Sequence, residues 1–195
     1  MNKIDAVIYI HGFRGSAQSP KVGSMRDHFE KQGIKVFAPT YNDTDAHKSH
    51  HHLTQFVSGV IKQYPHSVLV GCSLGGFWAH YLGNQFRLPS VLLNPAIKPW
   101  VTLKKYIPEA AISHQQVVDF KDFDMKYAKP TTVYEPRIVL VEQGDDVIDP
   151  NETVKTFTGH AKVESLPGGT HRFENFAKMN DAIEEVGNTI VTHGA

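Results

Sequence analysis

Short apolar runs without polar alternation recur along this chain, and they constrain its fold more than any other feature. Five of these runs, rich in Val, Ile and Leu, span residues 6–10, 35–38, 67–70, 90–93 and 138–141. A run of consecutive apolar residues is typical of a parallel strand that is buried on both faces. We predict a sixth short strand over residues 162–166, before the last helical pattern.

Helical patterns lie between these runs, because apolar residues there recur every three or four positions. The clearest stripe contains Leu53, Val57 and Val60, and another follows Ser73. Strands that alternate with helices form βαβ crossovers, which give a mostly parallel sheet with helices on both faces. We therefore predict an α/β protein with a three-layer α/β/α sandwich.

Length and composition narrow the class of protein. The 195 residues suffice for one sizeable core, so we predict a single domain over 1–195. The 20 Lys and Arg balance the 20 Asp and Glu, which argues against nucleic acid or an anionic membrane as a partner. The single cysteine, Cys72, fits a reducing compartment, and the run 6–10 is too short for a signal peptide or a membrane span. We expect a cytoplasmic protein without membrane insertion, and its oligomeric state stays open.

One region interrupts the alternation of strands and helices. Residues 98–136 contain several aromatic residues but no clear strand. A stretch of this length is too long for a plain connection between two strands of one sheet. We expect short helices that form a small cap over the top of the sheet, rather than a flexible surface insertion.

The pentapeptide Gly71-Cys72-Ser73-Leu74-Gly75 lies between the third apolar run and a helical pattern. A sharp strand-to-helix turn crowds backbone atoms, so the residues that flank it must be small. The start of the following helix directs free N–H groups and a positive dipole end toward negative charge that forms beside the serine. We predict that Ser73 is a nucleophile rather than part of an ordinary tight turn.

A serine hydroxyl is a weak nucleophile, so it needs a base, and the base needs an acid that orients it. His171 is the candidate base, because it follows the predicted strand 162–166 in a Gly-Gly loop, downstream of the serine. Three candidate acids, Asp145, Asp146 and Asp149, follow the fifth apolar run. Spacing does not choose among them, although Asp149 also suits the start of a helix.

Acyl transfer also needs donors for an oxyanion, and two backbone N–H groups are candidates. One belongs to Leu74, directly after Ser73, and the other to Phe13 in the loop "YIHGFRGS" after the first run. Arg14 is a candidate contact for a substrate carboxylate or phosphate, although an exposed loop arginine is commonly just solvated. Trp78 is a candidate wall of an apolar acyl pocket, or equally a packing residue.

The segment "HKSHHH", residues 47–52, raises the question of a metal site. His47 shares one helix face with His50 or His51, so transient binding of Zn²⁺ is one reading. We prefer the interpretation of a polar helix start, since a metal site needs more than neighbouring histidines. No metal and no organic cofactor is expected.

Four segments in this order, "IHGF", "GCSLGG", "QGDDVID" and "GGTHRFENF", resemble the α/β-hydrolase superfamily. Together with "SVLLNPAIKPW", they resemble more narrowly the small bacterial YqiA-like esterases, over essentially the whole chain. The resemblance implies a minimal α/β-hydrolase fold whose sheet lacks the first antiparallel strands. It also implies Ser73 as nucleophile, His171 as base and Asp145 as acid, with Asp146 as the alternative acid.

These residues predict a serine hydrolase that cleaves carboxylic esters or thioesters of small or acyl-chain substrates through an acyl-enzyme. An acyl-CoA thioester is among the substrates to consider. The rival hypothesis is a non-catalytic protein of the same fold that binds a small molecule or a protein partner. The presence of a nucleophile, a base, candidate acids and both oxyanion loops favours the enzyme.

Overall fold

Six parallel strands form the central sheet of the computed structural model, which describes residues 4–108, 112–124 and 136–189. The strands are β1 (Ala6–Ile10), β2 (Lys35–Phe37), β3 (Ser67–Cys72), β4 (Ser90–Leu93), β5 (Arg137–Glu142) and β6 (Lys162–Leu166). Their order across the sheet is β2-β1-β3-β4-β5-β6, and each neighbouring pair is parallel. The six predicted strands are therefore confirmed, and within the described residues the sheet contains parallel pairs only, as the resemblance implies.

Seven α-helices flank the sheet in the described part of the chain. They are α1 (Pro20–Phe29), α2 (Ala46–Gln63), α3 (Leu74–Phe86), α4 (Pro99–Tyr106), α5 (His114–Asp119), α6 (Pro150–Phe157) and α7 (Phe176–Thr189). Single 3₁₀ segments follow α1 and α5, at Glu30–Gln32 and Phe120–Phe123. Among the described residues, none of these helices combines the length and the apolar character that a membrane crossing requires.

Strand side chains alternate between two apolar layers, one on each face of the sheet. In β1, Val7 and Tyr9 belong to the layer with α1 and α7, whereas Ala6, Ile8 and Ile10 belong to the layer with α2, α3 and α6. Because both faces are covered, the four inner strands β1, β3, β4 and β5 are buried throughout and mostly apolar, whereas the edge strand β6 is only partly buried and alternates with polar residues. The predicted three-layer sandwich is confirmed.

The region between β4 and β5 contains α4, α5 and the 3₁₀ segment Phe120–Phe123, so short helices are present as predicted. Residues 109–111 and 125–135 of the predicted insertion lie outside the described part. Phe120 and Phe123 pack on Trp78 of α3, with ring centres 6.0 and 5.2 Å apart. This region therefore covers the α3 side of the sheet, and its function as a cap over the site stays a prediction.

The histidine-rich segment 47–52 lies in the first turns of α2. His47 Nε2 lies 3.3 Å from the Asp122 carboxylate, and the His50 ring packs on Phe123 with ring centres 4.9 Å apart. Within residues 4–108, 112–124 and 136–189, no three His, Cys, Asp or Glu side chains are grouped so that they could hold a metal ion. These two histidines instead link α2 to the region between β4 and β5.

The register of the strands brings the loops with the predicted site residues to one edge of the sheet. Ile10 at the end of β1 pairs with Gly71 near the end of β3, and Glu142 at the end of β5 pairs with Leu166 at the end of β6. The loops that follow these strands consequently meet at the carboxyl edge. In open parallel α/β sheets, this edge is where ligands bind.

Candidate active site

Ser73 forms the sharp turn between β3 and α3, where its backbone has φ 55° and ψ −121°. A positive φ is uncommon outside glycine and persists only where the surroundings fix it. The Ser73 N–H donates to the Leu93 carbonyl at 3.0 Å, and the Ser73 carbonyl accepts the N–H groups of Gly76 and Ala96 at 2.9 and 3.0 Å. Hydrogen bonds to the end of β4, to the loop after it and to α3 thus hold the half-buried serine in its strained conformation.

Two glycines of the pentapeptide are required by the close approach of backbone segments. A Cβ at Gly71 would lie 2.0 Å from the Gly75 carbonyl oxygen, and a Cβ at Gly75 would lie 1.9 Å from the Ile10 carbonyl oxygen. Both distances are far below van der Waals contact. The turn at Ser73 therefore brings β1, β3 and α3 so close together that only glycine fits at these two positions.

His171 connects Ser73 and Asp145 in a continuous chain of hydrogen bonds. Its Nε2 lies 2.9 Å from Ser73 Oγ, and its Nδ1 lies 2.9 and 3.0 Å from the two Asp145 carboxylate oxygens. Since a carboxylate can only accept, Nδ1 carries the proton and Nε2 is left to accept the serine O–H. The Asp145 side chain is 2% exposed and that of His171 is 21% exposed, so the acid is sheltered while the base borders solvent.

The structure distinguishes the three candidate acids by what each carboxylate contacts. Asp145 Oδ1 accepts the N–H groups of Val147 and Ile148 at 2.8 and 2.9 Å, which fixes the carboxylate that meets His171. Asp146 is exposed. Asp149 caps α6, because its carboxylate accepts the N–H of Asn151 at 2.9 Å. Asp145 is thus the acid brought to His171.

The loop after β1 lies directly against the serine. A Cβ at Gly12 would lie 3.2 Å from Ser73 Cβ and 3.1 Å from the Cys72 carbonyl oxygen. Phe13, whose N–H is a predicted oxyanion donor, is the next residue of this loop. Leu74, the other predicted donor, is the first residue of α3, and N–H groups in the first turn of a helix have no intrahelical acceptor.

The loop after β2 buttresses this first loop. The Tyr41 hydroxyl donates to the His11 carbonyl at 2.7 Å, and the two rings stack with centres 4.5 Å apart. The Asp43 carboxylate accepts the backbone N–H of Arg14. The exposed Arg14 side chain lies over the Phe13 ring, 5.6 Å from its centre. Sequence reasoning missed Tyr41 and Asp43, since nothing in their neighbourhood marks them as partners of a distant loop.

Trp78, a candidate wall of an acyl pocket, lies fully buried on α3. Its side chain is 0% exposed and packs against Phe77 and Phe123, with ring centres 5.1 and 5.2 Å away. The 3₁₀ segment after α5 covers this face of α3, so the burial agrees with the alternative of a packing residue, and a substrate contact at Trp78 stays a prediction. Helical spacing alone cannot separate a buried aromatic residue from one that lines a pocket.

Cys72 is the other nucleophilic side chain next to the turn. Burial raises the pKa of the Cys72 thiol to about 11; the charge of Lys21 opposes this rise in part, and the carboxylates of Asp145 and Glu142 add smaller contributions to it. The thiolate, which is the reactive form of cysteine, is therefore scarce at neutral pH. Ser73, with His171 at hydrogen-bond distance, is the better placed nucleophile of the two.

Two buried polar residues that sequence reasoning missed meet the loop of His171. The Asn94 side-chain amide donates to the Thr170 carbonyl at 2.9 Å, and the Glu142 carboxylate accepts the Thr170 N–H at 2.9 Å. Asn94 directly follows the apolar strand β4, and Glu142 is the polar last residue of β5, so both lie at the carboxyl edge of the sheet. The change from apolar to polar residues was visible in the sequence, but only the fold shows which loop each side chain meets.

Two solved structures resemble this protein over nearly its whole length. Est1E from Butyrivibrio proteoclasticus, solved with bound ferulic acid, has a TM-score of 0.82 at 15% identity. The match covers 98% of this chain and 91% of the Est1E chain. Alpha/beta hydrolase domain-containing protein 10 from mouse has a TM-score of 0.78 at 13% identity and matches 97% of this chain and 92% of its own. The likeness establishes an α/β-hydrolase fold, as the sequence motifs predicted.

The sequence comparisons define the family within this fold. Residues 6–186 match the model of the "Uncharacterised protein family (UPF0227)". A UPF0227 protein from Vibrio parahaemolyticus is 25% identical over 187 residues, which are 94% of this chain and 99% of the Vibrio protein. The chain belongs to the UPF0227 family, and the predicted resemblance to YqiA-like proteins of the α/β-hydrolase superfamily is confirmed.

Proposed function

We propose that this protein is a serine hydrolase that cleaves carboxylic esters of small molecules. The observation that carries the proposal is the chain of hydrogen bonds from Ser73 through His171 to Asp145, at a strained turn between a strand and a helix. A nucleophile, its base and the acid that orients the base are the parts that acyl transfer requires.

In the first step, Ser73 Oγ attacks the carbonyl carbon of the ester, and His171 Nε2 takes the hydroxyl proton. Asp145 holds the imidazole with its proton on Nδ1 and stabilises the imidazolium that forms. The carbonyl oxygen becomes an oxyanion, to which the N–H groups of Phe13 and Leu74 donate. Each such donor lowers the barrier by about 3 kcal/mol in comparable sites.

In the second step, the bond to the leaving alkoxy group breaks, and His171 transfers its proton to that oxygen. The alcohol leaves, and the acyl group stays bound to Ser73 Oγ. Water then attacks the acyl-enzyme, and His171 again takes a proton and returns it to Ser73 as the acid departs. These side chains handle every proton, so the reaction needs neither a metal nor an organic cofactor.

The names of the structural neighbours favour an ester over other acyl substrates. Est1E was solved with ferulic acid. Another structural neighbour, with a TM-score of 0.73, comes from work on two lipolytic enzymes, LipS and LipT. The same machinery also attacks thioesters, so an acyl-CoA belongs in the test. The balanced charge and the buried Cys72 fit a cytoplasmic enzyme with a small-molecule substrate.

The region between β4 and β5 is proposed to act as a cap beside this site. The Tyr106 hydroxyl at the end of α4 donates to the Asp146 carbonyl at 3.2 Å, and Lys98 pairs with Glu152 at 2.7 Å. Both contacts join the cap region to the chain segment that carries Asp145. The exposed Arg14 is the cation in the neighbouring loop that an anionic substrate group would meet.

The experiment compares wild type, Ser73→Ala and Ser58→Ala on p-nitrophenyl esters of increasing chain length and on an acyl-CoA. Ser58 lies on α2, outside the site, and serves as the matched control. We expect kcat/KM to fall by at least about 1,000-fold in Ser73→Ala and to stay unchanged in Ser58→Ala. A folded wild type without turnover on any of these substrates would refute the proposal and favour a binding protein of the same fold.

A further inference from the structure

A carboxylate at the end of a buried strand is unusual, because an ionised group loses hydration there unless it is fully hydrogen-bonded. Glu142, the last residue of β5, is only 2% exposed. We propose that Glu142 is a positioning residue that fixes the His171 loop for proton transfer. This inference rests on the proposed hydrolase function and adds a fourth side chain to its machinery.

The Glu142 carboxylate binds the backbone on both sides of His171. Oε2 accepts the N–H of Thr170 at 2.9 Å, and Oε1 accepts the N–H groups of Glu174 and Asn175 at 3.0 Å each. Thr170 directly precedes His171, whereas the other two donors follow it and lead into α7. One side chain therefore fixes the two ends of the segment that carries the base.

A second set of contacts joins the backbone of Glu142 to the same loop. The Glu142 N–H donates to Asn94 Oδ1 at 2.8 Å, and the Asn94 amide in turn donates to the Thr170 carbonyl at 2.9 Å. A Cβ at Gly169 would lie 2.3 Å from the Glu142 carboxyl carbon, so the loop is packed tightly on this side chain. Asn94 and Glu142 together form a bracket around Thr170.

The loop needs such a bracket because its own backbone is permissive. Gly168 and Gly169, both at positive φ, come just before Thr170 and impose little conformational restriction. Asp145 restrains the imidazole ring itself, whereas the backbone of the loop is held by Glu142 together with Asn94, the Gly144 N–H and the buried Phe173. Removal of the carboxylate would leave three N–H groups without their acceptor and release the segment that sets the distance from His171 to Ser73.

The test compares Glu142→Ala and Glu142→Gln with wild type, after the active sites are counted with a fluorophosphonate probe. A misplaced catalytic group lowers the rate of chemistry, so we expect kcat per titrated site to fall by about 100-fold in Glu142→Ala, with KM within about threefold. The kcat of Glu142→Gln should lie between those of Glu142→Ala and wild type, because the amide oxygen of glutamine still accepts some of the three N–H groups.

A second readout does not depend on turnover. An Nδ1 proton that is hydrogen-bonded to a carboxylate, as that of His171 is to Asp145, resonates far downfield in proton NMR when the ring is held in place. We expect this resonance in wild type and its loss by exchange broadening in Glu142→Ala. It should persist in Val68→Ala, a control that creates a cavity at the other end of β3 and lowers the melting temperature without touching the loop.

The outcomes separate this inference from the proposed function. If Glu142→Ala melts at a lower temperature but keeps the wild-type kcat per titrated site and the resonance, as Val68→Ala should, then Glu142 is merely structural and the inference is overturned. If Glu142→Ala does not fold, Glu142→Gln decides: a wild-type kcat per site and resonance overturn the inference. If wild type shows the resonance but neither reacts with the fluorophosphonate probe nor turns over any ester, the proposed hydrolase function is refuted. A role of Glu142 in positioning the base for that reaction is then refuted as well.

Discussion

Ser73 shows how close contacts between single residues produce a reactive geometry. Its φ of 55° is held by hydrogen bonds to the end of β4, to the loop after it and to α3, while the flanking glycines allow the turn to close. Conformational strain of this kind costs about 1–3 kcal/mol, and the surrounding structure must offset it. The residues that allow the turn are therefore as necessary to the site as those proposed to react.

The substitution Gly75→Ala tests this requirement. A Cβ at Gly75 would lie 1.9 Å from the Ile10 carbonyl oxygen, so either β1 or α3 has to move. We expect a loss of about 2–4 kcal/mol in the free energy of unfolding, measured in urea, together with a loss of esterase activity. The matched control is Gly59→Ala on α2, where nothing lies within 4 Å, and it should be neutral or stabilising by up to about 1 kcal/mol. Equal effects of the two substitutions would contradict the argument from close packing.

His80 on α3 makes stability depend on pH. Burial, supported by the charge of Arg137, lowers the pKa of His80 well below its usual 6.5. As the pH falls through 6.5, the unfolded chain therefore binds a proton that the folded protein does not, and folding becomes less favourable. This contribution amounts to at most about 1.4 kcal/mol per pH unit, and it is absent above pH 6.5.

The measurement is the free energy of unfolding between pH 7.5 and pH 5.5 in wild type and in His80→Gln. Glutamine retains a polar partner for Asn84, whose amide lies 3.4 Å from His80 Nε2. We expect the variant to lose less stability than wild type over this range. Parallel curves for the two proteins would mean that His80 titrates in the folded state as it does in the unfolded one.

Among the structural elements, the loop after β2 supports the loop that carries the proposed oxyanion donor. Tyr41→Phe removes only the hydroxyl that donates to the His11 carbonyl at 2.7 Å. We expect a loss of about 1–2 kcal/mol in stability, because a buried carbonyl loses its partner, and a fall in kcat with little change in KM. Tyr81→Phe, on α3 where the ring packs on Phe123 with ring centres 5.6 Å apart, is the control for loss of a tyrosine hydroxyl. Unchanged kcat in Tyr41→Phe would show that the oxyanion loop does not depend on this support.

The elements themselves could largely be predicted from the sequence, because a strand that is covered on both faces must be apolar throughout. The predicted end of β3 at residue 70 came two residues early, since Gly71 and Cys72 belong to the turn motif and still pair with β4. Contacts between residues far apart in the chain could not be predicted from local sequence patterns. Neither the bracket of Glu142 on the His171 loop nor the covering of Trp78 has a local signal.

Sequence spacing also does not identify which of the neighbouring aspartates after β5 is the acid. Asp145 and Asp146 are adjacent in the chain, and one residue is enough to direct the side chains to different surroundings. Asp145 turns toward His171 because two backbone N–H groups bind its Oδ1, whereas Asp146 is exposed. Only the folded loop distinguishes them, although the resemblance to the superfamily favoured the same residue.

At the scale of the whole molecule, the site is assembled from the loops after five strands, β1, β3, β4, β5 and β6. Backbone hydrogen bonds join these loops to one another, for example from the Ala96 N–H to the Ser73 carbonyl at 3.0 Å and from the Gly144 N–H to the Gly168 carbonyl at 2.7 Å. A site of this kind has no separate module that could unfold while the sheet persists. Its integrity should therefore follow that of the entire sheet.

A urea titration followed by esterase activity and by far-ultraviolet circular dichroism tests this dependence. We expect the two midpoints to agree within about 0.3 M, as for a cooperative transition observed by two probes. An activity midpoint well below that of the dichroism signal would mean that the loops of the site unfold before the sheet. Activity must be read at a saturating ester concentration in each urea solution, so that weaker substrate binding is not mistaken for unfolding.

Peptide mapping of a fluorophosphonate adduct by tandem mass spectrometry identifies the nucleophile, which we propose is Ser73. We expect one adduct per folded chain, on Ser73, with none in Ser73→Ala and much slower labelling in His171→Ala. Cys72→Ala should label like wild type, because the buried thiol takes no part. An adduct on any other residue, or a folded wild type that does not react at all, would show that Ser73 is not the nucleophile.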